Sequence, residues 1–249
     1  MIGPWLRFFR IVNLPTVPGD VWVGAVAVWA GVGMIADYGA PVITATFAVA
    51  FIYLFGLADN DIVGAATDVG RPIPEGLISV RAAKVARAAC LAAACVAAIA
   101  PDPLAHRAQP PLWWVAAACL VAAILAYNRT KNWLLMGLCR GFSVACGGAT
   151  ALGALTVSPE RIGDRWQSMA LLVACMAVWT AYIAAVTKYS EGEELDAAKR
   201  RRVGFLVGAV VWLQFAWLVA FRSGLALPVM ALWAVMVAMK RLLRHVSAS

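Results

Sequence analysis

Histidine, closely spaced cysteines and charged residues are scarce in this sequence. Only 14% of the 249 residues are charged and 63% are apolar, whereas an ordinary soluble domain is about 25% charged and about 45–50% apolar. The two histidines lie far apart and the six cysteines include no Cys-x-x-Cys pair, so neither a zinc site nor a disulfide framework is indicated. A soluble fold of this length cannot hide so much apolar surface in one core. The composition therefore predicts a polytopic membrane protein.

The positive net charge does not indicate nucleic-acid binding. The chain carries 21 Lys and Arg against 13 Asp and Glu, a formal charge of +8, but no basic stretch contains the interleaved aromatic residues that stack on bases. Lys and Arg also accumulate in the loops of membrane proteins for topological reasons. We therefore expect membrane lipid, and no nucleic acid, around this protein.

Eight apolar stretches approach the length of about 20 residues that a membrane-spanning helix needs. They lie at about 15–36, 41–58, 82–100, 111–127, 133–155, 168–186, 203–221 and 223–239. Residues 1–12 carry Arg7 and Arg10 among aromatic side chains, which predicts a short interfacial helix and no cleavable signal peptide. The sequence thus predicts an all-α polytopic membrane helix bundle, with residues 1–249 in a single membrane domain.

The distribution of charge predicts the orientation of the bundle. Sixteen of the 21 basic residues fall at the termini or in the loops after the second, fourth and sixth spans, and four fall in the other loops. By the positive-inside rule, both termini and these loops are cytoplasmic, and we expect a multi-pass protein of the bacterial inner membrane. Eight of the 13 acidic residues follow the second and sixth spans, about 130 residues apart. This placement indicates two related four-helix sets.

The first acidic segment has the chemistry of a magnesium–phosphate site. If the second span continues as a helix, Asp61, Gly64 and Asp68 share one face and Asn60 flanks it. The two carboxylates would then lie about 10 Å apart and could hold Mg²⁺, which prefers oxygen ligands and substrate phosphates. Arg71 could pair with phosphate oxygens. The alternative is a solvated acidic loop without a ligand.

This segment resembles the first aspartate motif of the UbiA prenyltransferase superfamily, which reads NDxxDxxxD followed by RPIPxG. Residues 60–68 read NDIVGAATD and residues 71–76 read RPIPEG, with Gly64 in place of the middle aspartate. The YxxxK motif of the superfamily is matched by residues 127–131, YNRTK. Residues 132–141, NWLLMGLCRG, resemble the EboC-like branch of the superfamily.

Two features depart from the superfamily pattern. Its second motif, DxxxD, is absent after the sixth span, where Glu191 is the best substitute ligand and Glu193, Glu194 and Asp196 are weaker ones. The superfamily usually has nine spans, and we expect the ninth to be absent here.

The resemblance implies a set of site residues. The predicted Mg²⁺ ligands are Asn60, Asp61, Asp68 and Glu191. The predicted catalytic residues are Asp61, Asp68, Arg71 and Lys131. The predicted substrate-binding residues are Asn13, Arg71, Tyr127, Lys131, Arg140 and Tyr182.

Arg140 draws attention without the resemblance, because it is a cation deep in an apolar span. Such charges usually face the bundle interior and mark function. A structural pair with Asp20 or Asp164 is the alternative.

The function implied by the resemblance is Mg²⁺-dependent transfer of a polyprenyl group from its diphosphate to a small acceptor. A non-catalytic polyprenyl-lipid-binding protein or a membrane transporter of the same fold is the alternative. A CDP-alcohol phosphotransferase is disfavoured, because its signature requires an Asp-Gly dipeptide and this sequence contains none.

Overall fold

Helices account for all the regular secondary structure in the part of the chain that the computed structural model describes. The described residues are 3–31, 42–68, 70–100, 108–155, 165–192, 197–221 and 226–246. The elements are α1 (Gly3–Phe8), a 3₁₀ helix (Ile11–Thr16), α2 (Val17–Gly31), α3 (Ile43–Val63), α4 (Val80–Ile99), α5 (Pro111–Thr130), α6 (Trp133–Leu155), α7 (Arg165–Ser190), α8 (Ala197–Ala220) and α9 (Ala226–Val246). The predicted all-α class is therefore confirmed.

Seven of the described helical segments are long and apolar enough to cross a membrane, from Ile11–Ala30 to Arg201–Ala220. The eighth predicted span corresponds to α9, in which the apolar part is the shorter stretch Ala226–Met239. The chain is an integral multi-pass membrane protein.

Local sequence explains where several helices begin and end. Ser79 stands before α4 in an extended conformation, and its hydroxyl accepts the Ala82 N–H at 3.1 Å, which caps the helix. Pro111 occupies the first turn of α5, where the missing N–H leaves no hydrogen bond unmade. Helix α5 ends at Thr130, and the following residue Lys131 has a left-handed φ of 54°. This ending turns the Lys131 side chain out of the regular helix.

Glycines allow α2 and α6 to touch through their backbones. A Cβ added to Gly24 would lie 1.9 Å from the Val144 carbonyl oxygen. A Cβ added to Gly147 would lie 1.8 Å from the Val21 carbonyl oxygen. Small residues at such positions are how membrane helices pack closely without a hydrophobic driving force. Helix α7 packs against both of these helices, so the contact lies at the centre of the bundle.

The N-terminal segment packs on the loop that follows α3. The predicted short helix is present as α1, and its Phe8 is buried against Ile73 and Ile78. Arg7 donates to the Gly70 carbonyl at 3.0 Å and forms an ion pair with Glu75 at 3.2 Å. These contacts fix the segment between α1 and α2 beside the acidic end of α3.

We predict that Gly147→Ala destabilises the protein, although alanine favours a helix over glycine by about 1 kcal/mol. The added methyl group overlaps a backbone atom of α2, and overpacking of this kind typically costs about 1–3 kcal/mol. Gly208→Ala on α8 is the matched control, because nothing lies within 4 Å of its added Cβ. Thermal unfolding in detergent should show a lower Tm for Gly147→Ala alone. Equal Tm values for the two variants would contradict the close contact.

Candidate active site

Helix α3 ends before the second aspartate of the acidic segment. The helix stops at Val63, and the Gly64 carbonyl accepts the N–H groups of Thr67 at 3.0 Å and Asp68 at 2.9 Å in the following turn. The condition of one continuous helix through Asp68 is therefore not met, and Asp68 lies in the turn after α3. A Cβ added to Gly64 would lie 2.4 Å from Asp68 Oδ2. Glycine at this position leaves room for the Asp68 carboxylate to fold back over the turn.

Asp61 is a fully buried carboxylate beside two arginines. Its Oδ1 accepts a hydrogen bond from Arg10 Nη2 at 2.9 Å and lies 3.9 Å from Arg71 Nη1. Its side chain has no exposed surface, and its buried Oδ2 has no hydrogen-bond partner among the described residues. A buried charged oxygen without a partner is costly. A hard cation bound to Oδ2 would remove that cost.

Lys131 contributes the third cation of the site. Its backbone N–H bonds the Tyr127 carbonyl at 2.7 Å, and its Nζ donates to Asn60 Oδ1. The same ammonium lies 5.7 Å from the centre of the Tyr127 ring. The sequence motifs thus meet in space, because the YxxxK lysine touches the asparagine of the acidic segment.

The electrostatic environment of Lys131 shows that five charged side chains share this site. Partial burial lowers the pKa of Lys131 below its ordinary value. The carboxylates of Asp68 and Asp61 raise that pKa, and the guanidinium groups of Arg10 and Arg71 lower it. Two anions and two further cations are therefore within electrostatic reach of Lys131.

Asp59 lies next to the site in sequence, but its side chain holds neighbouring helices together. Its Oδ1 accepts Arg87 Nη1 at 2.7 Å and its Oδ2 accepts Asn128 Nδ2 at 2.9 Å. Asn128 also donates to the Gly56 carbonyl at 3.0 Å. Because these partners lie on α3, α4 and α5, Asp59 joins three helices and has no oxygen left without a partner.

A mostly apolar cavity opens beside these charges. It is formed by α3, α5 and α6, with Arg10 from the segment between α1 and the 3₁₀ helix. Its apolar lining includes Val49, Leu57, Leu120, Ile124 and Met136. Its polar lining includes Arg10, Tyr53, Asn60, Tyr127, Asn128, Arg140 and Ser143. Apolar side chains and two guanidinium groups thus share one cavity.

Arg140 lies at this cavity and forms a buried ion pair with Asp20. Its Nη1 lies 2.5 Å from Asp20 Oδ2, and its Nη2 donates to Thr16 Oγ1 at 2.7 Å. Asp20 Oδ1 also accepts Trp179 Nε1 at 3.0 Å and Gln214 Nε2 at 2.7 Å. The structural pair with Asp20 is thus present and joins four helices. Substrate binding by Arg140 stays a prediction, which its place in the cavity lining supports.

Four predicted substrate-binding residues are not part of the cavity lining, namely Asn13, Arg71, Lys131 and Tyr182. Arg71 and Lys131 lie beside Asp61 and Asn60. The Tyr182 hydroxyl donates to the Leu206 carbonyl at 2.7 Å and so joins α7 to α8. Asn13 lies in the 3₁₀ helix, where its backbone N–H bonds the Arg10 carbonyl at 2.9 Å. The structure brings neither side chain to the cavity.

The acidic residues after the sixth span are not brought to the cavity where the structure describes them. Glu191 is 58% exposed and pairs with Lys188 at 2.8 Å. It is not part of the cavity lining, and its role as a metal ligand stays a prediction. The weaker substitutes Glu193, Glu194 and Asp196, together with Asp164, lie outside the described residues.

Arg10 is the site residue that sequence reasoning missed. Its sequence neighbours predict only an interfacial helix, whereas its guanidinium reaches Asp61 and its backbone has a left-handed φ of 40°. The available signal was its position directly before the first span. That signal is weak, because basic residues commonly flank spans.

We predict that Arg140→Met destabilises the bundle strongly, because it leaves Asp20 as a buried unpaired charge. Breaking one side of a buried pair typically costs about 3–5 kcal/mol. The double variant Asp20→Asn/Arg140→Met should recover much of the loss, since both charges are gone. Thermal unfolding of the wild type, both single variants and the double variant measures this coupling. A double variant as unstable as the sum of the single variants would contradict it.

No protein-family profile and no curated protein sequence matches the chain. The structure resembles that of a digeranylgeranylglyceryl phosphate synthase from membranes, with a TM-score of 0.53 at 14% identity over 97% of this chain and 88% of that one. A UbiA homologue from Archaeoglobus fulgidus bound to GPP and Mg²⁺ has a TM-score of 0.46 at 16% identity, with 96% and 99% of the two chains covered. The first similarity carries the fold assignment. The chain therefore shares the fold of that synthase.

Proposed function

We propose that this protein is a Mg²⁺-dependent prenyltransferase, which moves a polyprenyl group from its diphosphate to a small acceptor. The observation that carries the proposal is Asp61, a fully buried carboxylate with one oxygen that has no partner among the described residues. Its partner Arg10 and its neighbour Asn60 line the apolar cavity. The motifs around Asp61 match those of the UbiA superfamily, and the fold agrees with them. Membership of the EboC-like branch stays a prediction.

The donor set of the site suits Mg²⁺. The partnerless Asp61 Oδ2, the Asn60 amide oxygen and the Asp68 carboxylate are hard oxygen donors, which Mg²⁺ prefers together with substrate phosphates. These three residues would hold the metal. When bound, Mg²⁺ would neutralise the charge that develops on the departing diphosphate.

The chain's own cations would hold the diphosphate in place. Arg71 lies 3.9 Å from Asp61 Oδ1, and Lys131 donates to the neighbouring Asn60. Lys131 is partly buried, so its ammonium is incompletely solvated and its pKa is lowered. An anionic partner would therefore stabilise the ammonium. Arg71 and Lys131 would therefore stabilise the negative charge that develops on the diphosphate as the allylic C–O bond breaks.

The cavity walls would protect the reacting carbon from water. Val49, Leu120 and Ile124 present apolar surface next to the polar mouth. A cavity of this kind would place the prenyl chain among apolar side chains and keep water from an allylic cation. The rings of Tyr53 and Tyr127 also face the cavity and would stabilise a passing cation through their π faces.

The membrane setting supports a lipid substrate. A polyprenyl diphosphate combines an apolar tail with a charged head, and the cavity combines an apolar lining with the side chains of Arg10 and Arg140. By the charge distribution of the sequence, we propose that the mouth faces the cytoplasm. The membrane is expected to be the bacterial inner membrane.

A non-catalytic polyprenyl-lipid-binding protein or a transporter is the second candidate. It is favoured by the position of Glu191, which is exposed and outside the cavity lining. Among the described residues, no group of three acidic, His or Cys side chains gathers into a metal site. A lipid-binding protein needs the cavity and the cations but no complete metal site.

We predict that the purified protein releases diphosphate from geranylgeranyl diphosphate with Mg²⁺ and that EDTA abolishes the release. Asp61→Ala should lower the rate at least about a hundredfold, because a catalytic metal supplies several kcal/mol of charge stabilisation. The assay should be run with and without a mixture of aromatic and polyol acceptors. Phosphate analysis after pyrophosphatase treatment measures the release.

Glu75→Gln is the matched control. Glu75 lies in the same loop but pairs with Arg7 outside the cavity, so its variant should keep the wild-type rate. Binding of the diphosphate without release under any acceptor condition would favour the lipid-binding protein. Release that persists in EDTA and in Asp61→Ala would contradict the proposed chemistry.

A further inference from the structure

A surface groove between α7 and α8 lies apart from the cavity of the candidate active site. This α7–α8 groove is lined by five side chains, Tyr189 from α7 and Arg201, Arg202, Phe205 and Leu206 from α8. None of the five lines the cavity of the candidate active site. The metal and the prenyl donor proposed above therefore do not explain the groove.

Helix α8 places positive charge one turn before apolar surface. Arg201 is followed four residues later by Phe205, and Arg202 is followed at the same interval by an apolar residue, Leu206. Four residues advance a helix by about 6 Å and return to nearly the same face. Phe205 is 75% exposed. The groove thus has a charged end and an apolar end.

Two glycines keep the surface beyond the arginines open. Gly204 and Gly208 follow Arg201 by three and seven residues, and so share its face of the helix. A Cβ added to either glycine would meet nothing within 4 Å. Open space therefore continues along α8 past Phe205.

The charged end of the groove lies at the level of lipid headgroups. The apolar spans of the two helices are Trp166–Ser190 in α7 and Arg201–Ala220 in α8. Both arginines and Tyr189 are thus at the ends of spans, where basic and aromatic side chains meet the headgroups. Phe205 lies one turn farther into the apolar span. The groove therefore extends from headgroup level into the hydrocarbon region.

The guanidinium groups of Arg201 and Arg202 are available to a ligand. Both side chains are exposed, and no described residue forms an ion pair or a hydrogen bond with either guanidinium. Glu191, the acid that the structure describes in this region, pairs with Lys188 at 2.8 Å. Two cations without a described partner therefore stand beside apolar surface.

Lys199 extends the positive charge from α8 to the end of α7. Its Nζ donates to the Glu191 carbonyl at 2.5 Å and lies 5.3 Å from the centre of the Tyr189 ring. Tyr189 in turn lines the groove. Positive charge is thus present on both helices at the charged end.

We infer that the α7–α8 groove binds an anionic phospholipid. Its phosphate bonds the two arginines, because a guanidinium presents a planar fork of donors to phosphate oxygens. One acyl chain lies along Phe205 and Leu206 at the apolar end. A free phosphate ion would use the charged end alone, and a zwitterionic lipid would bring its own cation toward the arginines. An anionic phospholipid matches both ends of the groove.

Helix α4 provides a matched control. Arg81 and Lys84 are also exposed basic residues at the start of an apolar span, Val80–Ile99. Val85 follows Arg81 by four residues and is 64% exposed, which repeats the spacing found in α8. Arg81 and Lys84 do not line the α7–α8 groove. Exchange of either basic pair for glutamine removes the same charge, inside the groove or outside it.

The experiment titrates the detergent-solubilised protein with phosphatidylglycerol or with phosphatidylcholine of the same acyl chains. Native mass spectrometry counts the bound lipids and gives the affinity of the tightest site. We expect the wild type to bind phosphatidylglycerol at least about tenfold more tightly than phosphatidylcholine. Arg201→Gln/Arg202→Gln should weaken the phosphatidylglycerol site about thirtyfold, because each basic residue near an anionic lipid contributes about fivefold. Arg81→Gln/Lys84→Gln should match the wild type.

Three results would overturn the inference. The first is equal affinity of the wild type for the two lipids, or an equal loss in the two double variants. The second is displacement of phosphatidylglycerol by millimolar inorganic phosphate, which would show an anion site that does not use the lipid chain. The third is a dimer that forms as the lipid leaves, which would assign the groove to a second copy of the chain.

Two single variants keep the test decisive if Arg201→Gln/Arg202→Gln does not fold. Arg201→Gln and Arg202→Gln should each weaken the phosphatidylglycerol site about fivefold. Unchanged affinity in both single variants would contradict phosphate binding by these arginines.

Discussion

The arrangement of the site depends on the burial of the Asp61 carboxylate at the end of α3. A carboxylate with no exposed surface must be matched by cations or become neutral. Three separate segments supply those cations, namely the linker after α1, the loop after α3 and the end of α5. The packing of α1 on the loop and the left-handed end of α5 thus hold two of these cations beside the site.

Close backbone contacts and a few polar side chains hold the helices around this carboxylate in place. Gly24 and Gly147 let α2 and α6 approach through their backbones. Asp59 joins α3, α4 and α5, and the pair of Asp20 and Arg140 joins α2 to α6. Polar side chains in an apolar bundle therefore serve two purposes. Some fix the helices relative to one another, and those around Asp61 keep bonding capacity for a ligand.

The sequence predicts most of the fold because span length and apolar composition are local properties. It also assigns Asn60 and Lys131 to one site, since both belong to motifs of the superfamily that the sequence resembles. Their direct contact is a finding of the structure. It does not predict the helix end at Val63, which depends on the fit of the Asp68 side chain over Gly64. Pairing over long sequence distances, such as that of Arg10 with Asp61, likewise requires the packed structure.

The most direct test of the account is the location of a metal ion in a crystal of the protein with Mn²⁺ and geranyl S-thiolodiphosphate, an unreactive substrate analogue. Anomalous scattering at the manganese edge identifies the ion independently of the protein density. We predict a peak within ligand distance of Asp61 Oδ2, the oxygen that has no partner among the described residues. A peak only at Glu191, or an analogue bound without metal at Asp61, would contradict the account.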